Sequence, residues 1–395
     1  MKEFLEGSRT VAETVKRCKP GVISAYPITP QTHIVEELAQ MVANGELGSS
    51  FVNVESEHSA ASVVLGGAAA GVRSYTATSS QGLLLMGEVI FNIAGLRLPL
   101  VLTCANRSVS APINIWNDQQ DSISLRDAGW IQLYAESLQE IVDFHLMAYR
   151  LSEDKSVMLP VMVCMDGFIL THGMETVDMP EQDQVDKFLP PYKPLYKLDP
   201  AEPLTMGLLA DPDYYMETRF AIQETLKEVI RIIPKVSEEF KSVFGRDYKD
   251  CLIEEYFTKD ASKVIVAMGS VCGTIKEVVD QMRQKGKKVG LLKIISFRPF
   301  PYIQVYQALK NVAQVAVLDK AVSLGAISPL AVEIKATFCG KKKAPKVISS
   351  FVAGLGGRDI TSDSVKEIFR KLTQQECAQE FIDLKPELLT EEYEG

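Results

Sequence analysis

The chain has no C-x-x-C pair. Its seven cysteines, Cys18, Cys104, Cys164, Cys251, Cys272, Cys339 and Cys377, are scattered. Cysteine spacing therefore builds neither an iron–sulfur cluster nor a zinc site within this chain. An odd count in a cytosolic setting reads as free thiols. Histidine is scarce: His33, His58, His145 and His172 are the four present, none with another at i+4. No apolar run reaches the length of a membrane span, and the opening residues MKEFLEGSRT hold no apolar signal segment. The phosphate motifs G-x-G-x-x-G and G-x-x-x-x-G-K-[ST] are missing, as is any Ser-His-Asp grammar. A net charge of −9 and a pI near 5.2 argue against nucleic acid or a membrane surface as partner. The expectation is a cytoplasmic, globular chain.

With 395 residues, 46% hydrophobic and 24% charged, the chain suits two or three domains with a large core. Apolar strands alternate with helical periodicity, which predicts α/β architecture with parallel sheets. A helix over Thr10–Cys18 stops at Lys19-Pro20-Gly21. Val22–Tyr26 is extended, and the stiff loop Pro27-Ile28-Thr29-Pro30-Gln31-Thr32 leads into a helix over His33–Asn44. Val52–Gly82 holds a strand end, Glu55-Ser56-Glu57-His58, a helix of small residues over Ala60–Gly71, a strand over Ser74–Thr78 and a polar turn at Ser79–Gly82. Residues 177–212 carry seven prolines and read as an extended arm. Met216–Phe240 has helical spacing, and Pro234 predicts a kink or break in it. A second α/β region starts near Ser262, and the end of the chain is acidic.

Each candidate residue has a bland alternative at this stage. Glu57, where a strand meets a helix, is either a site acid or a capping residue favoured by the helix dipole. Gly66, Gly67 and Gly71 suit close helix packing better than a phosphate loop. Thr29 between two prolines is a rigid ligand or a helix-entry residue. Arg107 follows a buried strand and could clamp a carboxylate or form an interface salt bridge. Asp118 and Asp121 lack the further oxygen ligands a divalent metal needs, so no metal site is expected.

Several motifs carry a resemblance. Tyr26-Pro27-Ile28-Thr29-Pro30, Glu55-Ser56-Glu57-His58-Ser59-Ala60, Thr76–Gly82, Asn106-Arg107-x-x-Ser110-Ala111-Pro112-Ile113-Asn114-Ile115-Trp116-Asn117-Asp118, Phe168–His172, Arg298-Pro299-Phe300-Pro301 and Gly354–Asp359 resemble the alpha subunits of multi-subunit, thiamine-diphosphate-dependent 2-oxoacid:ferredoxin oxidoreductases. That family includes the pyruvate:ferredoxin and oxalate oxidoreductases, and the similarity spans nearly the whole chain.

The resemblance implies a pyrimidine-binding thiamine-diphosphate domain over residues 1–245, including the arm and the long helix over 216–240. It implies a transketolase C-terminal-like α/β domain over 260–375 and a separate acidic tail over 376–395. Glu57 would hydrogen-bond N1′ of the aminopyrimidine. Pro27, Ile28, Ser80, Gln81 and Gly82 would line the cofactor. Thr29, Arg107, Asn106, Asn114 and Gln31 would meet the substrate. Thiamine diphosphate would be shared with a beta subunit, and Mg²⁺ and 4Fe–4S clusters would lie on beta, gamma or delta partners, possibly fused. Ferredoxin would accept the electrons, and the heteromeric unit would dimerise. Pyruvate is the expected substrate and oxalate the alternative. A non-catalytic scaffold subunit is the alternative of another class.

Overall fold

The computed structural model describes residues 2–389. Residues 390–395 of the acidic tail lie outside the described residues. Chain contacts divide the protein into two compact units. The first comprises residues 1–254 with 268–270 and 294–301; the second comprises 255–267, 271–293 and 302–395.

The first unit is built on a seven-stranded sheet. Its order is Ser296–Arg298, Ile131–Tyr134, Val161–Asp166, Val101–Asn106, Ser74–Thr78, Val22–Ile23 and Ser50–Phe51. The edge strand Ser296–Arg298 is antiparallel and the remaining neighbours pair in parallel. The central strands are apolar and buried along their whole length, as a parallel sheet covered on both faces requires. From Val22–Ile23 the chain moves outward to Ser50–Phe51. It then returns to the other side, at Ser74–Thr78, and moves on to Val101–Asn106. The crevice between Val22–Ile23 and Ser74–Thr78 is therefore a topological switch point, where ligands sit in open α/β sheets.

The small-residue helix runs Glu57–Ala69 and starts three residues earlier than its composition suggests, because Ser56 caps it by accepting the Ser59 N–H at 3.2 Å. A Cβ at Gly67 would come within 2.7 Å of Ser74 Oγ and 3.1 Å of Val22 Cβ, so this glycine does permit close helix–sheet packing. Gly66 faces open space, and Gly71 takes a φ of +81° beyond the helix end. The expected polar turn at Ser79–Gly82 is instead the start of a helix, Ser80–Leu85.

Two other expectations are corrected, at the Pro-rich segment and at Pro234, and one strand was not foreseen. Residues 182–188 of the Pro-rich segment form a helix, closed by a capping box of Glu181 and Gln184. The N-terminal residues Lys2–Glu6 form a strand antiparallel to Met174–Asp178. The long helix spans Tyr215–Phe244 without a break at Pro234. Its apolar stripe, Ile222, Val229, Ile232, Ile233, Val236 and Phe240, is buried. At about 1.5–3 kcal/mol per side chain, that burial exceeds the roughly 3 kcal/mol an internal proline costs.

The second unit has its own six-stranded sheet, in the order Glu380–Phe381, Val347–Val352, Gln314–Asp319, Lys263–Ala267, Val289–Ile294 and Ile253–Tyr256. Asp319 ends a central strand and accepts the N–H groups of Leu330 and Ala331, at 2.9 and 3.2 Å, in the first turn of the helix Pro329–Phe338. Burial pushes its carboxyl up to about 7, against the opposing pull of those two bonds. For an acid whose native value is raised, the contribution to stability is full below the ordinary carboxylate range and is lost as pH rises through the raised value. Denaturant unfolding of the wild type should therefore show a loss of stability between about pH 4 and 7 that Asp319→Asn reduces. An unchanged slope in the variant would refute the assignment.

Candidate functional site

The loops leaving the C-terminal ends of the first sheet carry the sequence-nominated residues. Thr29 and Gln31 follow the strand Val22–Ile23, Glu57 follows Ser50–Phe51, Ser80–Gly82 follow Ser74–Thr78, and Arg107–Asn114 follow Val101–Asn106.

Glu57 is the first residue of its helix and is 7% exposed. No side chain or backbone donor among the described residues reaches its carboxylate. The bland capping role belongs to Ser56, not to Glu57. Gly82 stands directly against this acid: a Cβ there would lie 2.6 Å from Glu57 Oε1 and 2.5 Å from Thr78 Oγ1. The Glu57 oxygens are not among the fully buried unpartnered atoms, so they keep enough access for a ligand to supply the missing donor. Its chemistry suits a ring nitrogen that donates a hydrogen bond, such as the protonated aminopyrimidine N1′ of thiamine diphosphate.

Arg107 is 6% exposed. Its Nε donates to the Asn114 carbonyl and its Nη1 to the Thr29 carbonyl, both at 2.9 Å. The guanidinium thus joins the Thr29 loop to the Asn114 loop. Nη2 has no partner among the described residues, so the outer edge of the fork faces away from those bonds. Burial lowers the Arg107 pKa, with the nearby Asp121 acting in the opposite direction.

Asn106 and Arg107 are successive residues at the end of one strand, and successive strand side chains point to opposite faces. Asn106 is fully buried and its amide donates to Asp121 Oδ1 and Ser122 Oγ, both at 2.7 Å. Gln31 is likewise fully buried. It accepts the Ile28 N–H at 3.2 Å and donates to the Ala77 carbonyl at 2.5 Å, tying the Thr29 loop to the strand across the crevice. Both residues, nominated for substrate, are turned inside the fold, where Asn106 Oδ1 is buried without a hydrogen-bond partner. Thr29 itself is exposed.

The cofactor-nominated residues divide in the same way. Ser80 is buried and bonds the Ser108 carbonyl, while the Gln81 amide bonds Ser110. These two clamp the 108–118 loop. Pro27 is exposed and Ile28 half-buried at the mouth of the crevice. Asn114 Oδ1 accepts Ser108 Oγ and the Trp116 N–H, both at 2.8 Å, which shapes the loop from within. The loop tip leaves Ile113 80% and Trp116 52% exposed. Trp116 lies 6.2 Å from the Phe168 ring.

The residue that sequence reasoning undervalued is Asp121, considered there only as a metal ligand. It is completely buried. Oδ1 accepts from Asn106 Nδ2 (2.7 Å) and Ser122 N (2.8 Å), and Oδ2 from Ser80 N and Arg107 N, both at 2.9 Å. Burial raises its carboxyl pKa, and the four donors pull it back. Surrounded by N–H donors, it does not present a cation site. A second missed acid is Asp166, at the end of the neighbouring strand. It accepts from Asn117 Nδ2 (3.1 Å) and Gln119 Nε2 (3.3 Å), and from Ser270 N (2.9 Å) and Oγ (2.5 Å). The only sequence signal was an acid ending an apolar strand.

Two family models match. One, described as pyruvate flavodoxin/ferredoxin oxidoreductase, thiamine diphosphate-binding, covers residues 13–238. The other, described as pyruvate:ferredoxin oxidoreductase core domain II, covers residues 261–365. The chain is 50% identical over 385 residues to pyruvate synthase subunit PorA of Methanothermobacter thermautotrophicus, covering 98% of this chain and 99% of that one. It is 43% identical over 369 residues to ketoisovalerate oxidoreductase subunit VorA of Pyrococcus abyssi, covering 93% and 92%. Among solved structures, the 2-oxoglutarate:ferredoxin oxidoreductase of Magnetococcus marinus superposes with a TM-score of 0.70 at 18% identity, over 94% of this chain but 65% of that chain. A split-gene transketolase superposes at 0.53 and 11% identity, over 92% and 95%.

Asp121→Asn offers one acceptor oxygen where four donors converge, and each orphaned donor costs about 1–3 kcal/mol. The variant should melt several degrees lower, by calorimetry, than a control such as Ser237→Ala. Equal melting would show that the four bonds contribute nothing.

Proposed function

The chain belongs to the pyruvate flavodoxin/ferredoxin oxidoreductase family, and on that premise we propose that it is the alpha subunit of a pyruvate:ferredoxin oxidoreductase complex. The single observation that carries the catalytic reading is Glu57, a buried acid without a donor, beside a glycine whose missing Cβ leaves room for its carboxylate. Pyruvate is supported by identities of 46–50% to subunits named pyruvate synthase, against 43% to a ketoisovalerate subunit.

When bound, thiamine diphosphate supplies the electron sink that decarboxylation of a 2-oxoacid requires. Glu57 holds a proton at N1′ of the aminopyrimidine and so sets the protonation state of the ring. Arg107 offers the outer edge of its guanidinium to the substrate carboxylate, a charge-assisted interaction stronger than a neutral hydrogen bond. Its backbone-bonded inner edge fixes its direction. The Thr29 hydroxyl is exposed at the same mouth and donates to the 2-oxo oxygen. The 108–118 loop, held by Ser80 and Gln81, covers the substrate with Asn114 in its wall. Gln31 acts by holding backbone, and Asn106 by holding the Asp121 carboxylate, rather than by touching substrate.

The diphosphate with its Mg²⁺ and the 4Fe–4S clusters are assigned to partner subunits. The lack of any C-x-x-C pair in this sequence supports that division. So do the exposed Ile113, Trp116 and Ile169 around the loop, since clustered exposed apolar residues mark interaction surfaces. Ferredoxin is the acceptor. Among the described residues no helix is long and apolar enough to cross a membrane.

Glu57→Gln should cut turnover of the reconstituted complex by on the order of 10²–10⁴-fold, the range for losing an acid–base group, with assembly unchanged by size-exclusion chromatography. Full turnover would refute the catalytic role and leave the scaffold reading. The isolated chain should bind thiamine diphosphate only weakly, and micromolar affinity by calorimetry would overturn the shared pocket. With a low-potential dye as acceptor, pyruvate should give the highest kcat/KM in a panel with oxalate, 2-oxoisovalerate and 2-oxoglutarate.

A further inference from the structure

No two of the four histidines are spaced for a metal motif, yet the fold brings two of them to one acid. Glu6 ends the strand Lys2–Glu6, His33 is the second residue of the helix Thr32–Ala43, and His172 lies in the turn after Val161–Asp166. One potential ligand atom from each lies within 4.8 Å of the other two. His33 Nδ1 and Glu6 Oε1 are 3.3 Å apart. The two imidazole rings are 5.1 Å apart, centroid to centroid.

Two ligands bound at 2.0–2.2 Å to a tetrahedral ion are themselves about 3.3–3.5 Å apart. The Glu6–His33 edge already has that length. The His172 edge closes by a shift of about 1 Å or a little more, within reach of rotations of exposed side chains. His172 is also prepared for the role. Its Nδ1 bonds Thr171 Oγ1 at 2.8 Å, and that hydroxyl accepts the Phe168 N–H at 2.8 Å. The Phe168 ring stacks on the imidazole at 4.8 Å. The ring is thereby oriented, with Nε2 left as its ligand atom, which is the second-shell arrangement common around metal-bound histidine.

We propose that Glu6, His33 and His172 form a three-ligand site for a divalent first-row transition metal of the Zn²⁺, Co²⁺ or Ni²⁺ class, with its remaining position open to water. Two imidazoles and one carboxylate suit these ions and not Mg²⁺ or Ca²⁺, which take oxygen. The site joins three segments distant in sequence, among them the helix that follows the Thr29 loop and the turn that follows Asp166. Occupancy would therefore stiffen the base of the crevice. The inference does not depend on the catalytic reading, because it is tested by binding alone.

The test uses the untagged full chain, stripped with chelator and titrated with CoCl₂ at pH 7.5. The expected result is one equivalent bound, a visible d–d absorption band and a melting temperature raised by several degrees. His33→Ala, His172→Ala and the shape-conserving Glu6→Gln should each weaken binding at least about tenfold. Cys339→Ser and Cys377→Ser should bind as the wild type does. No Co²⁺ binding below millimolar concentration, or binding that survives both histidine changes, would overturn the proposal. So would binding lost with either cysteine.

Discussion

One buried carboxylate holds the site's loops together. Asp121 takes the backbone N–H of Ser80 at the start of one loop, the backbone N–H of Arg107 at the start of another, and the side chain of Asn106 between them. Burying an isolated carboxylate costs several kcal/mol even after relaxation. Each hydrogen bond to the charged form returns about 1.5–3 kcal/mol, so the four together offset much of the cost, while burial still leaves the carboxyl pKa raised. Where those bonds hold, the helix bearing Gly82 and the strand bearing Arg107 keep a fixed relation. Glu57 then meets Gly82, and Arg107 meets the Thr29 loop.

This arrangement separates two kinds of polar residue that look alike in one dimension. Gln31, Ser80 and Asp121 are buried and bonded to backbone, and Asn106 is buried and bonded to the Asp121 and Ser122 side chains; together they determine where loops lie. Glu57, Thr29 and the outer edge of Arg107 keep unused hydrogen-bonding capacity. Asp166 repeats the first pattern one strand over. It collects Asn117, Gln119 and Ser270, and a Cβ at Gly269 would come within 2.7 Å of Gln119 Nε2 and 2.9 Å of Asp166 Oδ2. Gly167 is similarly confined, since a Cβ there would lie 2.5 Å from the Asn106 carbonyl oxygen and 2.6 Å from Pro30 Cγ. The loops are packed as tightly as a core, which suits a site that must place a cofactor and a small acid against each other.

The same logic separates the family assignment from the substrate assignment. The family rests on matched models over residues 13–238 and 261–365, and on near-full-length identity to curated relatives. The substrate rests on the names of relatives at 46–50% identity, because one methyl or isopropyl group is worth only a few kcal/mol of discrimination.

Much of the fold was legible in the sequence. The α/β alternation, the strand over Ser74–Thr78, and the suspicion attached to Glu57 follow from local periodicity and from an acid at a strand–helix junction. Those are short-range signals. The continuous helix through Pro234 was not legible, because its stabilisation comes from side chains elsewhere in the unit. Nor could spacing distinguish Asn106 from Arg107, or reveal that Gln31 bonds Ala77 46 residues away and that Glu6, His33 and His172 converge. Sequence by itself determined which residues have the chemistry for a site. Only the tertiary structure decided which are engaged by backbone and which stay available, because a hydrogen-bond partner is chosen by proximity in space, which residue order does not encode.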